Sequence, residues 1–181
     1  MVVAFDNNVL CLLLHPEADV PADPKTGRPI ERVKARMDFL VETLRNSEAR
    51  ILLATPVLSE FLTFASPEYL VTIRQSGHFE IAPFDERAAI EAAVALKRAV
   101  KSPQGKKLGL AGSWQKIKID RQIVAIAKVE GAEAIYTSDP DVAALAIDSG
   151  LQAIHPSELP LPPSDTPLLD SVLPDDEAPE A

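Results

Sequence analysis

Short apolar segments recur along the chain, and each is separated from the next by a stretch long enough to form a helix. The first, Val2-Val3-Ala4-Phe5, is apolar throughout, as expected of a strand buried on both faces of a sheet. Alternation of strands with helix-length connections favours parallel pairing. We therefore predict an α/β fold with a central, mostly parallel five-stranded sheet. The predicted strands are residues 2–5, 51–54, 79–82, 134–136 and 152–154.

Three apolar stripes with a spacing of three to four residues predict helices that cover this sheet. They lie within residues 30–44, 88–99 and 119–129. Two connections, residues 15–29 and 102–118, are longer than ordinary loops. Since long loops in small domains often carry function, we predict that both border the functional site.

The distribution of charge changes what the net charge implies. A formal net charge of −9 argues at first against a nucleic-acid partner, because phosphate binding usually needs a basic surface. Seven of the acidic residues, and no Lys or Arg, lie in residues 157–181, so the rest of the chain is close to neutral. We predict one folded domain at residues 1–155 and an acidic, proline-rich, disordered tail at residues 156–181.

Cysteine content and hydropathy bear on the compartment. Cys11 is the single cysteine, and the first residues lack the pattern of a secretory signal. No apolar run approaches the roughly 20 residues that a membrane-spanning helix requires. We expect a cytoplasmic protein that does not enter a membrane.

Four acidic residues are notable for their positions relative to the predicted strands. Asp6 ends the first strand and Asp139 follows the fourth, and ligands of parallel α/β sheets bind beyond these strand ends. Glu60 lies about one turn into a helix that Pro56 opens after the second strand. Each acid has a structural alternative. Asp139 fits an N-cap, Asp120 a helix-start residue, and Glu60 an exposed helix face.

Converging carboxylates would repel one another by on the order of 1–4 kcal/mol per pair at about 4 Å. No Lys or Arg stands at a corresponding strand end, so protonation or a cation must offset this repulsion. Carboxylate oxygens are the ligands that Mg²⁺ and Mn²⁺ prefer. We predict a divalent metal site.

The segments that carry these acids resemble those of the PIN-domain family. Residues 5–10, Phe-Asp-Asn-Asn-Val-Leu, look like its opening D-x-N-x-L motif, although Asn7 stands where the family commonly has Thr or Ser. Residues 56–61 and 120–125 are similar to the helices bearing its second and third acids, and residues 137–141 to its T-x-D-x-D segment. The resemblance implies a three-layer α/β/α PIN-like fold over most of the chain.

By this resemblance, the protein would be an Mg²⁺- or Mn²⁺-dependent endoribonuclease that hydrolyses RNA through metal-activated water. Its substrate would be single-stranded or structured RNA, and its products would carry a 5′-phosphate and a 3′-hydroxyl. The family also implies a homodimer and, for a toxin of a toxin–antitoxin pair, an antitoxin partner. The implied catalytic and metal-binding residues are Asp6, Glu60, Asp120 and Asp139, with Asn8, Thr137 and Asp141 in support.

Basic residues cluster just before and around the third acid. We predict that they hold RNA phosphates near the metal, although a solvated loop would show the same composition. Trp114, the one tryptophan, fits either a base-stacking residue or an anchor in the core. The predicted RNA-binding residues are Lys106, Lys107, Lys116, Lys118 and Arg121.

Two other functions remain open. A haloacid-dehalogenase-like phosphatase starts with D-x-D and uses the first Asp as nucleophile, but here Asn8 takes the place of the second acid. A catalytically weak PIN-fold binding or scaffold protein is the other alternative, because a sequence does not show whether its acids assemble. Release of phosphate from a monoester would favour the phosphatase, and failure to bind Mn²⁺ would favour the binding or scaffold protein.

Overall fold

A computed structural model describes residues 1–15 and 17–163. Within them, the chain forms one sheet of five parallel strands, as predicted, and the sheet is parallel throughout. The strands are β1 (Val2–Phe5), β2 (Arg50–Ala54), β3 (Phe79–Ala82), β4 (Ala134–Tyr136) and β5 (Gln152–Ile154). Their order across the sheet is β3-β2-β1-β4-β5.

Both faces of the sheet are covered. Val3, Ala4 and Phe5 are consecutive and all buried, and the same holds for the residues of β2 after Arg50. Because successive side chains of a strand point to opposite faces, such runs must pack against something on each side. The described helices are α1 (Asn7–Leu14), α2 (Val33–Asn46), α3 (Thr55–Phe61), α4 (Glu68–Gln75), α5 (Glu86–Lys101), α6 (Trp114–Val129) and α7 (Pro140–Asp148).

The helices pack in two groups that meet at one point. α1 packs against α2 and α3, α6 packs against α5 and α7, and α3 also contacts α6. With the sheet, this arrangement is consistent with a three-layer α/β/α architecture. α2, α5 and α6 correspond to the three predicted stripes. No helix in the described part of the chain is long and apolar enough to cross a membrane.

The start of α6 differs from the prediction. Ser113 is its N-cap, and the Ser113 hydroxyl accepts a hydrogen bond from the backbone N–H of Lys116 at 3.2 Å. Asp120 therefore lies in the second turn of the helix, and its interpretation as a helix-start residue is wrong. Lys116 and Lys118 are therefore helical, and the predicted long loop ends at Ser113. Lys106 and Lys107 lie in a short 3₁₀ helix within that loop, Gly105–Lys107.

Packing continues beyond the predicted domain boundary at residue 155. Residues Pro156–Glu158 form a short 3₁₀ helix, and the side chain of Leu159 is 4% exposed within the core. The Arg36 guanidinium of α2 donates a hydrogen bond to the Leu159 carbonyl. The remainder of the predicted tail, residues 164–181, lies outside the described residues.

This packing predicts that Leu159 contributes to stability although it belongs to the segment that the sequence assigns to the tail. Leu159→Ala is expected to lower the free energy of unfolding by about 2–5 kcal/mol, the usual cost of removing a buried leucine side chain. Urea denaturation would measure the change. Leu161→Ala, in the same segment but with a partly exposed side chain, is the matched control and should cost clearly less. Equal effects of the two substitutions would contradict the assignment.

Candidate functional site

The topology places a crevice between β1 and β4. The chain adds β2 and β3 on one side of β1 and then crosses to add β4 on the other, so the strand order reverses at this point. Ligands of open α/β sheets bind beyond the carboxyl ends of the strands at such a reversal. Asp6 follows β1 and Thr137 follows β4, and the Thr137 hydroxyl donates a hydrogen bond to Asp6 Oδ2 at 2.8 Å.

Asp6 is held rigidly at the base of the crevice. Its side chain is 5% exposed, and its Oδ1 accepts a hydrogen bond from the backbone N–H of Asn7 at 2.8 Å. Burial raises the pKa of Asp6 to about 6, in spite of the hydrogen bonds from Thr137 and Asn7. The carboxylates of Asp139 and Asp120 contribute to the same rise in pKa. A buried carboxylate with such a pKa is a common feature of functional sites.

Asp139 uses its two oxygens differently. Oδ1 caps α7 by accepting a hydrogen bond from the backbone N–H of Asp141 at 2.8 Å, so the N-cap alternative is confirmed. Oδ2 lies 2.8 Å from Nζ of Lys116, and both residues line the cavity in the crevice. Burial acts to raise the pKa of Asp139, but hydrogen bonds from Lys116 and the backbone outweigh it and hold the pKa below its ordinary value. Capping and a role in the site are therefore compatible.

Asp120 reaches the crevice from the second turn of α6. Its side chain is buried, and its Oδ2 lies 2.9 Å from Nζ of Lys116, four residues earlier on the same helix. The pKa of Asp120 is raised, because the effect of burial exceeds the stabilisation that Lys116 gives to the ionised form. Asp120 and Asp139 thus share one ammonium group.

Lys116 supplies the positive charge that the sequence argument overlooked. Its Nζ lies 2.8 Å from Asp139, 2.9 Å from Asp120 and 3.7 Å from Asp141. Burial lowers the pKa of Lys116, but the hydrogen bonds to the two nearer carboxylates raise it above its ordinary value overall. The inference that only protonation or a metal ion could offset the carboxylate repulsion is therefore wrong. Lys116 does not stand at a strand end, because the helical i,i+4 spacing from Asp120 is what places its ammonium beside that acid.

Glu60 completes the set of predicted acids at one cavity. It is exposed on α3, as the structural alternative held, and it also lines the cavity together with Asp6, Asp120 and Asp139. The cavity encloses about 460 Å³. Among residues 1–15 and 17–163, however, no three His, Cys, Asp or Glu side chains are gathered closely enough to form a ready-made metal site.

The predicted supporting residues have distinct positions. Thr137 links Asp6 to the next acid, because its Oγ1 also accepts a hydrogen bond from the backbone N–H of Asp139 at 2.9 Å. Asp141 is buried and anchors the entry to α6, where its Oδ2 accepts a hydrogen bond from the Gly112 N–H at 2.9 Å. A Cβ at Gly112 would lie 2.5 Å from that oxygen, so only glycine allows the approach. Asn8 is exposed at the rim of the cavity.

The predicted RNA-binding residues are not equally accessible. Arg121 is 5% exposed, and its Nη2 donates a hydrogen bond to the Lys106 carbonyl at 2.9 Å, while Nε and Nη1 have no hydrogen-bond partner. A guanidinium this deeply buried does not reach RNA, so the prediction for Arg121 is wrong. Lys106 Nζ lies 4.7 Å from the centroid of the partly exposed Trp114 ring, a cation–π contact. Lys118 is exposed on α6, and Lys107 is partly exposed.

Comparison with known proteins bears on the fold. No family model and no curated protein sequence matches the chain. Among solved structures, the fold is similar to that of a chain in VapBC2 from Rickettsia felis bound to a DNA fragment from their promoter, with a TM-score of 0.52. The fold is PIN-like. The superposition covers 86% of this chain and 98% of the other at 14% sequence identity, a level that establishes the fold alone.

The raised pKa of Asp6 predicts a pH-dependent cost to stability. Between the ordinary pKa of 3.8 and the folded-state value of about 6, the folded protein retains a proton that the unfolded chain has lost. The free energy of unfolding therefore falls as the pH rises through this window. Asp6→Asn cannot ionise, so it should be more stable than the native protein at pH about 7.5, by up to about 3 kcal/mol, and the difference should disappear near pH 4.

Urea denaturation at both pH values would measure this difference. Asp38→Asn, which replaces an exposed carboxylate paired with Lys34, is the control and should change the free energy of unfolding little at either pH. A native protein that is more stable than Asp6→Asn at neutral pH would contradict the proposed ionisation of Asp6.

Proposed function

We propose that this protein is a metal-dependent endoribonuclease that hydrolyses RNA phosphodiesters, with Mg²⁺ or Mn²⁺ as its cofactor. The observation that carries the proposal is the single cavity lined by Asp6, Glu60, Asp120 and Asp139. It lies at the strand reversal where α/β folds bind their ligands. The acids come from four separate parts of the sequence, so their meeting at one cavity is not a consequence of local chain geometry.

The donor set suits a hard divalent cation, since its side chains present carboxylate oxygens. The position of Lys116 supports the same conclusion. Its ammonium pairs with both Asp120 and Asp139, so the site already accommodates a positive charge where a metal ion would bind. We propose that Asp6, Glu60, Asp120 and Asp139 would hold the metal. When bound, it would activate water for attack and stabilise charge on the attacking and leaving oxygens.

The chain's own residues would prepare this chemistry. Asp6 is fixed by hydrogen bonds to both oxygens, and Asp139 is fixed through one oxygen, so neither needs to be ordered when substrate arrives. Lys116 would lose these partners if Asp120 and Asp139 held a metal ion. Its ammonium then lies beside the cavity, where it would pair with an RNA phosphate together with Lys106, Lys107 and Lys118.

We extend the proposal to a toxin of a toxin–antitoxin pair, acting as a homodimer with an antitoxin protein as its partner. The similarity in fold to a chain of the VapBC2 structure supports this extension. RNA cleavage by the isolated protein does not depend on it.

A catalytically weak binding or scaffold protein is a second candidate, and one observation favours it. Lys116 already neutralises Asp120 and Asp139, and the described residues hold no ready-made group of three metal ligands. If Lys116 is never displaced, the fold would present an acidic cavity without metal chemistry. Metal binding therefore separates the two candidates.

An aspartate-nucleophile phosphatase fits the chain less well. Its nucleophile would be Asp6, which lines the cavity, but its motif carries a second acid two residues later, and Asn8 stands there.

The nuclease proposal predicts metal-dependent cleavage of defined single-stranded RNAs. Asp6→Asn and Asp120→Asn should each lower the rate by more than the roughly 10- to 100-fold typical of groups that only orient a metal ligand. Electrophoresis of end-labelled products would measure cleavage and identify the expected 5′-phosphate. Asp38→Asn, at an exposed position that does not line the cavity, is the control and should cleave at the native rate. Cleavage that survives both site substitutions would refute the proposed site.

A second prediction concerns competition between Lys116 and the metal ion. Lys116→Met removes the ammonium from Asp120 and Asp139, so Mn²⁺ should bind about tenfold more tightly, which equals about 1.4 kcal/mol. Isothermal titration calorimetry of the native protein and the variant measures this directly. Lys118→Met, on the same helix but exposed, should bind Mn²⁺ with native affinity. If neither the native protein nor Lys116→Met releases or absorbs heat when Mn²⁺ is added, the scaffold is favoured.

A further inference from the structure

A second cavity adjoins the acidic one. It encloses about 490 Å³, within the range of ordinary ligand sites. Asn7 and Asn8 line both cavities, so the two adjoin at the start of α1. A substrate that places a phosphodiester at the acidic cavity would therefore have a neighbouring nucleotide within reach of the second.

The second cavity carries an exposed aromatic side chain. Phe64, in the segment after α3, is 51% exposed. Its ring makes edge-to-face contacts with the fully buried Phe61, at a centroid distance of 5.6 Å, and with His15, at 5.9 Å. Isolated exposed apolar residues are ordinary on protein surfaces. The exposed Phe64 ring packs against a buried ring and lines a cavity beside the candidate active site. Such a ring offers a surface on which a ligand with a flat apolar face can stack.

The charges around this cavity select among such ligands. Glu17 and Asp19 line it, and no Lys or Arg is among the described residues that do so. Cys11 adds no charge, because burial and the carboxylates of Glu60 and Asp6 raise the pKa of its thiol to about 11. Phosphates are therefore disfavoured here, whereas amino groups that donate hydrogen bonds to carboxylates are favoured.

We propose that this second cavity is a nucleobase subsite, in which a base next to the cleaved phosphodiester stacks on the face of Phe64 and meets His15 at its edge, because the two rings stand at 76° to each other. The inference rests on the proposed ribonuclease function and adds the part of the substrate that is recognised. Single-stranded RNA is commonly bound by stacking its bases on aromatic side chains and by hydrogen bonds to their Watson–Crick edges. Glu17 and Asp19 favour bases with exocyclic amino groups, so guanine, adenine and cytosine are preferred to uracil.

Binding without turnover tests the subsite first. A short single-stranded RNA with 2-aminopurine in place of one adenine is titrated with protein in EDTA, where stacking on an aromatic ring quenches the fluorescence. The native protein should quench it, and Phe64→Ala should bind about 5- to 100-fold more weakly, as expected for the loss of one stacked base. Phe64→Leu keeps apolar bulk without the aromatic face and should also lose the quenching.

Phe84→Ala is the matched control, because Phe84 is 37% exposed but lines neither cavity. It should bind and quench like the native protein. Equal affinity of the native protein and Phe64→Ala would overturn the subsite. Absence of RNA binding by the native protein would overturn it as well.

Cleavage then separates the subsite from the nuclease proposal. Phe64→Ala should raise KM for RNA and leave kcat nearly unchanged, and the effect should vanish on an RNA with abasic nucleotides on both sides of the cleaved bond. Quenching that depends on Phe64 without any RNA cleavage would retain the subsite and refute the nuclease. Cleavage that depends on Asp6 and Asp120 but not on Phe64 would retain the nuclease and refute the subsite. An equal loss on normal and abasic RNA would show damage to the fold and overturn the subsite.

Discussion

Burial of the sheet on both faces is the constraint on which the rest of the molecule depends. A strand such as β1, with Val3, Ala4 and Phe5 all buried, leaves no room for a charged side chain along its length. The first position at which the chain can present one is the residue after the strand, and there Asp6 stands. The same rule places Thr137 after β4, the neighbour of β1. The polar crevice thus follows from the way the apolar core is closed.

Electrostatic balance is the second level of organisation. Burial raises the pKa of Asp6 and of Asp120, whereas hydrogen bonds from Lys116 and the backbone hold the pKa of Asp139 below its ordinary value. Neighbouring carboxylates of one cavity therefore have different tendencies to hold a proton. Such separation of pKa values within one site arises from environment and not from residue type.

The sequence predicts the fold more completely than the site. Five apolar runs and three stripes identify the sheet and the main helices, because burial on two faces leaves a pattern that is local in sequence. The four acids were found from strand ends and motif resemblance, and they do line one cavity. The ion pair of Lys116 with Asp139 and the burial of Arg121 are not predicted, because the partners of a long side chain depend on elements distant in sequence. The contact of Lys106 with the Trp114 ring and the burial of Leu159 in the core are not predicted for the same reason.

The two oxygens of the Asp139 carboxylate have separate partners, and this bears on how quickly the ammonium of Lys116 can leave the site. Oδ1 keeps α7 capped while Oδ2 holds only the Lys116 ammonium, whose side chain is 42% exposed. Releasing that ammonium requires rotation of one flexible side chain and leaves the backbone around the crevice in place. Rotamer changes of exposed side chains take picoseconds to nanoseconds, whereas loop and domain opening takes up to milliseconds. On the proposed function, a metal ion that replaces the ammonium would therefore need no gating motion of the protein.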